Sequence, residues 1–92
     1  MIERTLVLVK PDGIKRSLTG TVISKFENAG LKIVGMRMVW VNKSLSKKHY
    51  SDHIGKPFFP GLDEFIRSGP VLAMVLEGVE AIKNVRRIVG ST

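Results

Sequence analysis

This sequence of 92 residues has no cysteine and no long apolar run. Without thiols the chain cannot form disulfides, use thiol catalysis or build a cysteine zinc site, and it suits a reducing compartment. The longest apolar run, residues 71–76, is far shorter than the roughly 20 residues that span a bilayer. No basic leader with a long apolar segment opens the chain. We therefore predict a cytoplasmic protein that does not enter a membrane.

Aromatic and acidic residues are scarce. The chain has one Trp, one Tyr and four Phe, and 8 acidic residues against 15 Lys and Arg, which gives a formal charge of +7. Such an excess of positive charge favours an anionic partner. The basic residues are scattered, and no aromatic lies in a basic cluster, as it would in a surface that stacks bases of nucleic acid. A small phosphate compound is therefore favoured over nucleic acid.

The chain is short enough to form one small domain over residues 1–92, and it contains no internal repeat. Its first regular segment, residues 5–9, is apolar and β-branched and leads directly to Lys10, after which residues 11–13 (Pro-Asp-Gly) predict a turn. A strand that is apolar on both faces is typical of the middle of a sheet. We therefore predict a central strand that holds Lys10 in a rigid position.

The next two segments predict a helix and a strand. Val22, Ile23 and Phe26 share a helical face, and Gly30 ends the helix. Residues 31–41 alternate as a strand near a sheet edge. The helix has three alternative N-caps, Ser17, Thr19 and Thr21. The strand places Val34, Met36, Met38 and Trp40 on one side, and Lys32, Gly35 and Arg37 on the other.

Two further helices are predicted in the middle of the chain. Asn42 is a candidate cap before a short polar helix over residues 45–53. Pro60 suits the first turn of the second helix, because its fixed backbone angle is helical and its missing N–H has no partner there. Phe58 is expected on the loop side of that helix start.

A strand and a helix complete the predicted elements. Residues 70–76 are apolar on both faces, which predicts a second central strand, ended by Glu77 and Gly78. Residues 79–89 have the spacing of a helix with one apolar face, and Gly90 is expected just after its end.

The predicted order is strand, helix, strand, two helices, strand, helix. It matches a split β-α-β arrangement, βαββαβ, whose final strand is missing. That strand would pair with the first one, so residues 5–9 would otherwise leave a long apolar edge open, which natural proteins rarely do. We therefore predict an α+β antiparallel sheet with helices, in a domain over residues 1–92 that is incomplete at its C-terminus or is covered by a segment supplied in trans.

Individual residues leave several interpretations open. Gly13 and Gly20 lack the spacing of a phosphate-binding loop, and no lysine follows the second glycine. His49 and His53 have the four-residue spacing of a metal pair but lack the metalloprotease glutamate, which favours two solvent-facing histidines. Lys10 is either a phosphate ligand or a strand-end charge that reaches water.

A set of motifs, in order and without a gap, resembles the nucleoside diphosphate kinase family. The motifs are Glu3-Arg4-Thr5, Lys10-Pro11-Asp12-Gly13, His49-Tyr50, Pro57-Phe58-Phe59-Pro60-Gly61-Leu62 and Ser68-Gly69-Pro70-Val71. They match the amino-terminal part of the family. The resemblance implies a ferredoxin-like domain in a homo-oligomer. It also implies a kinase that moves the terminal phosphate of ATP or another nucleoside triphosphate to a nucleoside diphosphate through a phosphohistidine, with Mg²⁺ carried on the nucleotide phosphates.

The resemblance also assigns nucleotide-binding roles. Lys10 and Tyr50 match residues at the phosphates, and Phe58 matches the aromatic that stacks on the base, with Leu62 beside it. Two further positions match phosphate ligands, Arg86 and Thr92. Such roles suit phosphoryl transfer, because fixed cations and donors stabilise its spread negative charge and an aromatic face accepts any base.

Two departures from the family bear on activity. Lys56 stands where the family usually has arginine, whose planar bidentate contacts a lysine cannot make. The family's nucleophilic histidine would lie beyond Thr92, and neither His49 nor His53 matches it, so we assign no catalytic and no metal-binding residue to this chain. Without a nucleophile the double displacement cannot run.

We therefore expect the 92-residue chain alone to be inactive, and a separate C-terminal fragment is one way to complete it. The alternative is a non-catalytic nucleotide-binding or oligomerisation module that lacks the nucleophile.

Overall fold

Three strands and five α-helices make up the part of the chain that the computed structural model describes, residues 1–90. The elements in order are β1 (Ile2–Val9), α1 (Pro11–Lys15), α2 (Thr19–Asn28), β2 (Lys32–Trp40), α3 (Lys43–His49), a 3-10 turn (Ser51–His53), α4 (Phe59–Ile66), β3 (Pro70–Val79) and α5 (Ala81–Gly90). Within these residues no helix is long and apolar enough to cross a membrane.

The three strands form one antiparallel sheet in the order β1-β3-β2. The predicted α+β, split β-α-β arrangement is confirmed, as are the central place of β3 and the edge position of β2. β1 also lies at an edge, because within residues 1–90 it pairs with β3 alone, as expected when the final strand of the βαββαβ order is missing.

One face of the sheet carries the main core and packs against α2 and α5. Phe26, Met74, Leu76 and Ala81 are almost completely buried there. Val7 and Val9 of β1 belong to the same cluster. Full burial of one such side chain stabilises the fold by about 1.5–3 kcal/mol. The second half of β1 is thus held firmly, up to the residue before Lys10.

The opposite face packs against α3 and α4. Tyr50, Ile66 and Val71 form a second buried cluster there, with Leu8 of β1 packed against it. An apolar pocket of about 200 Å³ lies beside this cluster, between the sheet and α3. Packing on this face brings the end of α3 and the start of α4 close to the end of β1.

A β-bulge between Ile33 and Gly35 changes the register of β2. It brings Lys32 onto the same face as Gly35 and Arg37, because their partners are alternate residues of β3. The predicted division is therefore confirmed for these residues and for Met36, Met38 and Trp40, whose partners are the intervening residues of β3, while Val34 lies in the bulge without a partner in the ladder. The apolar residues on the other side are well exposed, Met36 by 51%, Met38 by 53% and Trp40 by 69%.

The turn predicted after Lys10 is a short helix. Pro11 occupies the first position of α1, where proline is favoured, and the Ile14 N–H donates to the Lys10 carbonyl at 3.2 Å. Pro-Asp-Gly is compatible with both structures, and burial of Pro11 selects the helix.

No predicted side-chain cap begins α2. The N-cap residue is Leu18, and the helix starts at Thr19 without a side-chain hydrogen bond. The backbone explains this difference, because the Leu18 N–H donates to the Gly13 carbonyl and the Leu18 carbonyl accepts from Val22, each at 3.0 Å. α2 therefore follows directly from the turn that ends α1.

The polar helix after β2 is correctly placed but shorter than predicted. Asn42 is its cap, as predicted, and its side-chain Oδ1 accepts from the Leu45 N–H at 2.8 Å. The helix ends at His49, and the tighter 3-10 turn follows, in which the His53 N–H donates to the Tyr50 carbonyl at 2.8 Å.

β3 continues through Glu77 and Gly78, which were predicted to end it. Both residues pair with β1, since Glu77 lies opposite Arg4 and Gly78 opposite Glu3. A Cβ on Gly78 would lie 2.8 Å from Leu31 Cδ2. The glycine thus marks a close approach of two segments and not the end of a strand. After it, α5 begins two residues later than predicted, and Gly90 lies within its last turn.

Candidate functional site

Lys10 lies where β1 ends and α1 begins. It precedes the buried Pro11, whose Cβ lies 3.3 Å from the position of a Cβ built on Gly69, the residue before β3. This close packing fixes the backbone of Lys10 against the sheet. The Lys10 side chain is half-buried, and its Nζ lies 3.4 Å from the Tyr50 hydroxyl oxygen and 5.6 Å from the centre of the Tyr50 ring.

Tyr50 is the C-cap residue of α3 and is only 8% exposed. Its ring packs with Ile66 of α4 and Val71 of β3. The side chain is thus held from three elements, while its hydroxyl reaches Lys10. A fixed ammonium beside a fixed phenol can donate hydrogen bonds to one anionic oxygen.

His49 lies next to this pair. Its ring contacts the Tyr50 ring edge-on, with 4.5 Å between the ring centres. Burial, followed by the positive charge of Lys10, lowers the pKa of His49 below its usual value. Protonated His49 is therefore disfavoured here, and the positive charge beside Tyr50 comes from Lys10.

Phe58 provides an exposed aromatic surface, and the His53 ring lies near both it and Tyr50. Phe58 is the N-cap residue of α4, and it is 52% exposed. The Nζ of Lys56 lies 5.8 Å from the centre of its ring. Leu62 lies one turn further along α4 and is half-buried, and its N–H donates to the Phe58 carbonyl at 3.3 Å. An exposed ring with an apolar neighbour is suited to stacking against a flat base.

His53 is the residue that sequence reasoning missed. It was interpreted as solvent-facing, but it is half-buried between the two aromatic residues of the site. Its ring centre lies 6.3 Å from that of Tyr50 and 5.3 Å from that of Phe58, and its Nδ1 is buried without a hydrogen bond among residues 1–90. The signal in the sequence was its position three residues after Tyr50, which places the two on one side of a helical turn.

The predicted phosphate ligand Arg86 is not brought to Lys10 within residues 1–90. Arg86 is exposed on α5 and lines a shallow depression with Glu3, Glu80 and Lys83. Glu3 lies near the start of β1, whereas Lys10 follows its end. The predicted ligand Thr92 lies outside the described residues.

No group of three or more acidic or histidine side chains that could hold a metal ion occurs in residues 1–90. The site formed by the other predicted residues has two ends. One end offers the Lys10 ammonium and the Tyr50 hydroxyl, and the other offers the Phe58 ring and Leu62. Such a site can bind a molecule that combines an anionic group with a flat apolar one.

The sequence of this chain matches a known protein family. The family model described as nucleoside diphosphate kinase matches residues 3–92. This chain belongs to the nucleoside diphosphate kinase family. The predicted resemblance is therefore confirmed, and the ferredoxin-like α+β fold agrees with it.

Curated members of the family match almost the whole chain. The nucleoside diphosphate kinase of Pyrococcus furiosus is 52% identical over 91 residues, which are 99% of this chain and 56% of that protein. The nucleoside diphosphate kinase of Archaeoglobus fulgidus is 54% identical over 91 residues, 99% of this chain and 60% of that protein. The chain thus spans somewhat more than half the length of these relatives.

Solved structures of family members superpose closely. A halophilic nucleoside diphosphate kinase from Halobacterium salinarum, in complex with CDP, has a TM-score of 0.91 and 48% identity, and the match covers 95% of this chain and 57% of that one. The nucleoside diphosphate kinase of Aquifex aeolicus has a TM-score of 0.89 and 41% identity, covering 96% of this chain and 62% of that one.

Proposed function

We propose that this chain provides the nucleotide-binding part of a phosphotransferase, which moves the terminal phosphate of a nucleoside triphosphate to a nucleoside diphosphate. The observation that carries this proposal is the Lys10–Tyr50 pair, joined through the His53 ring to the exposed ring of Phe58, in a chain that matches the nucleoside diphosphate kinase family over residues 3–92. The CDP bound by the relative from Halobacterium salinarum supports a nucleotide as the ligand.

Each end of the site has its own role in the proposal. Lys10 and Tyr50 donate to phosphate oxygens, while Phe58 and Leu62 contact the base. Because every base has a flat aromatic surface, a stacking contact accepts several nucleotides. Arg86 and Thr92 are proposed as further phosphate ligands from the family resemblance alone. Mg²⁺ is proposed to enter with the nucleotide, since it usually binds proteins through substrate phosphates and few carboxylates.

The phosphohistidine step is proposed for the complete protein. In the family the phosphate passes through a histidine that neither His49 nor His53 matches. We therefore propose that the 92-residue chain binds nucleotide without transferring phosphate.

Two properties of the whole protein complete the proposal. A homo-oligomer is supported by the exposed apolar residues of the edge strand β2, because such surface is usually covered by a partner. A cytoplasmic location is proposed from the absence of cysteine in the sequence.

Nucleotide binding is tested by titrating ADP into the 92-residue chain in a calorimeter. We expect Phe58→Ala to weaken ADP binding by roughly 5- to 150-fold, the range that loss of one stacked base gives. Lys10→Met should weaken it by about tenfold or more, because a charged hydrogen bond to phosphate is lost. Phe65→Ala is the matched control, since it removes a partly exposed aromatic from the same helix outside the site.

Phosphate transfer is tested with labelled ATP. The 92-residue chain alone should form no acid-labile phosphoprotein, and the appearance of one would contradict the proposed lack of transfer. The assay is repeated after adding any polypeptide that is encoded downstream. If the chain binds ADP but no phosphate is transferred even then, the alternative of a non-catalytic nucleotide-binding module is correct. Binding of long nucleic acid with a steep salt dependence, in place of ADP, would overturn the proposal altogether.

A further inference from the structure

Lys56 places a positive charge beside the exposed ring of Phe58. Its Nζ lies 5.8 Å from the centre of that ring, which is within the range of a cation–π contact. Lys56 stands where the family usually has arginine, and it has no part in the nucleotide-binding roles that the family resemblance implies. A cation next to the ring that is proposed to stack on the base therefore calls for a role of its own.

The backbone holds Lys56 beside the ring, while its side chain is exposed to solvent. The Lys56 N–H donates to the His53 carbonyl at 3.0 Å, and the Lys56 carbonyl accepts from the Phe59 N–H at 3.0 Å. The Lys56 side chain is exposed, and no ion pair among residues 1–90 involves it. Its ammonium is therefore not held by a carboxylate of these residues and can donate to a ligand.

The ammonium and a stacked base approach the same part of Phe58. The half-buried His53 ring lies 5.3 Å from the Phe58 ring and covers it from the side of the protein, whereas Phe58 itself is 52% exposed. A stacked base contacts the ring at about 3.5–4.0 Å. Since the ammonium lies 5.8 Å from the ring centre, the base takes the place next to the ring, and the flexible lysine stem carries the ammonium to the edge of the base.

An ammonium at the edge of a base distinguishes bases by their hydrogen-bonding groups. Lysine has three donors and no acceptor. Guanine and hypoxanthine have a carbonyl oxygen at position 6, and uracil and thymine have one at position 4, whereas adenine and cytosine have an amino group at the corresponding position. The carbonyl oxygen accepts a hydrogen bond from the ammonium, and the amino group presents a second donor to it.

We propose that Lys56 is a specificity-determining residue, which favours nucleotides whose base carries this carbonyl oxygen over those that carry the amino group. This inference rests on the proposed nucleotide binding, and it deepens that proposal by naming the preferred bases. The preference is moderate, because the stacking contact with Phe58 accepts every base.

Two matched pairs of nucleotides test the preference in a calorimeter. Inosine diphosphate (IDP) and ADP differ at position 6 of the purine and its adjoining ring nitrogen, and UDP and CDP differ in the same way at position 4 of the pyrimidine. With the wild-type 92-residue chain, the Kd of ADP should exceed that of IDP by about three- to tenfold, the effect of one hydrogen bond. The Kd of CDP should exceed that of UDP by a similar factor.

Variants of three lysines show whether Lys56 causes the preference. Lys56→Met removes the donor and should bring both Kd ratios close to one, whereas Lys56→Arg retains donors and should keep the preference. Lys10→Met, at the phosphate end, should weaken binding of all four nucleotides and leave both ratios unchanged. Lys25→Met is the matched control, because it removes an exposed lysine from α2, on the opposite face of the sheet, and it should change no Kd.

The outcomes distinguish this inference from the proposed function. Equal Kd values for IDP and ADP in the wild-type chain would overturn the role of Lys56 alone. A preference that Lys56→Met leaves intact would do the same, even if that variant weakened binding of all four nucleotides. Failure of the wild-type chain to bind any of the four would overturn both the inference and the proposed nucleotide binding.

Discussion

Lys10 is the residue on which the electrostatics of the site depend. Its ammonium lies within reach of the Tyr50 hydroxyl, and its charge lowers the pKa of His49. The position of Lys10 at the end of an apolar strand was readable from the sequence. Its neighbour Tyr50, 40 positions further along the chain, was predicted from the family motifs and not from any local pattern.

Replacement of Lys10 should be visible in the titration of His49. The Lys10 charge disfavours the protonated imidazole, so Lys10→Met should raise the His49 pKa towards its ordinary value of 6.5. Binding of a phosphate compound should raise it as well, because an anion favours the protonated form. Both shifts are measured by NMR titration of the His49 ring. Lys10→Arg keeps the charge and is the control, and an unchanged pKa in Lys10→Met would contradict the assigned coupling.

The burial of His53 and Asp63 could not be predicted from the sequence. Both are polar residues on short helical segments, where a solvent-facing position is the ordinary expectation. Their burial depends on how α3 and α4 pack together, and the spacing of apolar residues within each helix carries little information on that packing. The family motifs pointed to Tyr50 and Phe58, and the structure supplied the residues between and behind them.

At the scale of elements, the segment from Asn42 to Ile66 positions most of the site. It contains α3, the 3-10 turn and α4, and it carries Tyr50, Phe58 and Leu62. α3 is only seven residues long. Isolated helices of that length are unstable in water, so its structure depends on its cap and on tertiary contacts.

The cap at Asn42 is therefore worth testing. Asn42→Ala removes the acceptor of the Leu45 N–H and should lower the free energy of unfolding by about 1 kcal/mol. In a domain of this size such a loss lowers Tm by roughly 4–8 °C. Thermal unfolding followed by circular dichroism measures it. Asn42→Asp keeps an acceptor and should retain most of the stability, and an equal loss in both variants would show that the cap is not the cause.

The elements themselves were largely predictable, and their ends were not. Local patterns located every strand and four of the five described helices, since apolar spacing follows from which face is covered. The errors lie at Pro11, Leu18 and Gly78, where backbone pairing or close packing with a distant segment decides the structure. These contacts join residues far apart in sequence, and no local pattern records them.

At the scale of the whole molecule, the described sheet has two edges of different character. β2 presents Met36, Met38 and Trp40 beyond the border of the main core, each more than half exposed. The sequence pattern predicted that these residues share a side. It could not predict that α2 and α5 leave this side uncovered, because that depends on where the helices lie on the sheet.

The proposed homo-oligomer can be tested on this surface. Met38→Lys introduces a charge whose burial in an interface would be costly, so it should shift the protein towards a smaller species. Sedimentation velocity on the wild-type and variant proteins measures the change. Lys32→Met, on the opposite face of the same strand, is the control and should leave the species unchanged. Identical sedimentation of Met38→Lys and the wild-type protein would exclude this surface as the interface.

The edge of β1 has a consequence for ligand binding. Its ladder with β3 ends at Val9, and the next residue is Lys10. A further strand added along this edge would reduce the motion of the backbone at Lys10. Anion binding would then cost less conformational entropy. By thermodynamic reciprocity the anion would strengthen the strand pairing by the same factor. Addition of a strand at this edge and binding of phosphate at Lys10 would then be thermodynamically coupled.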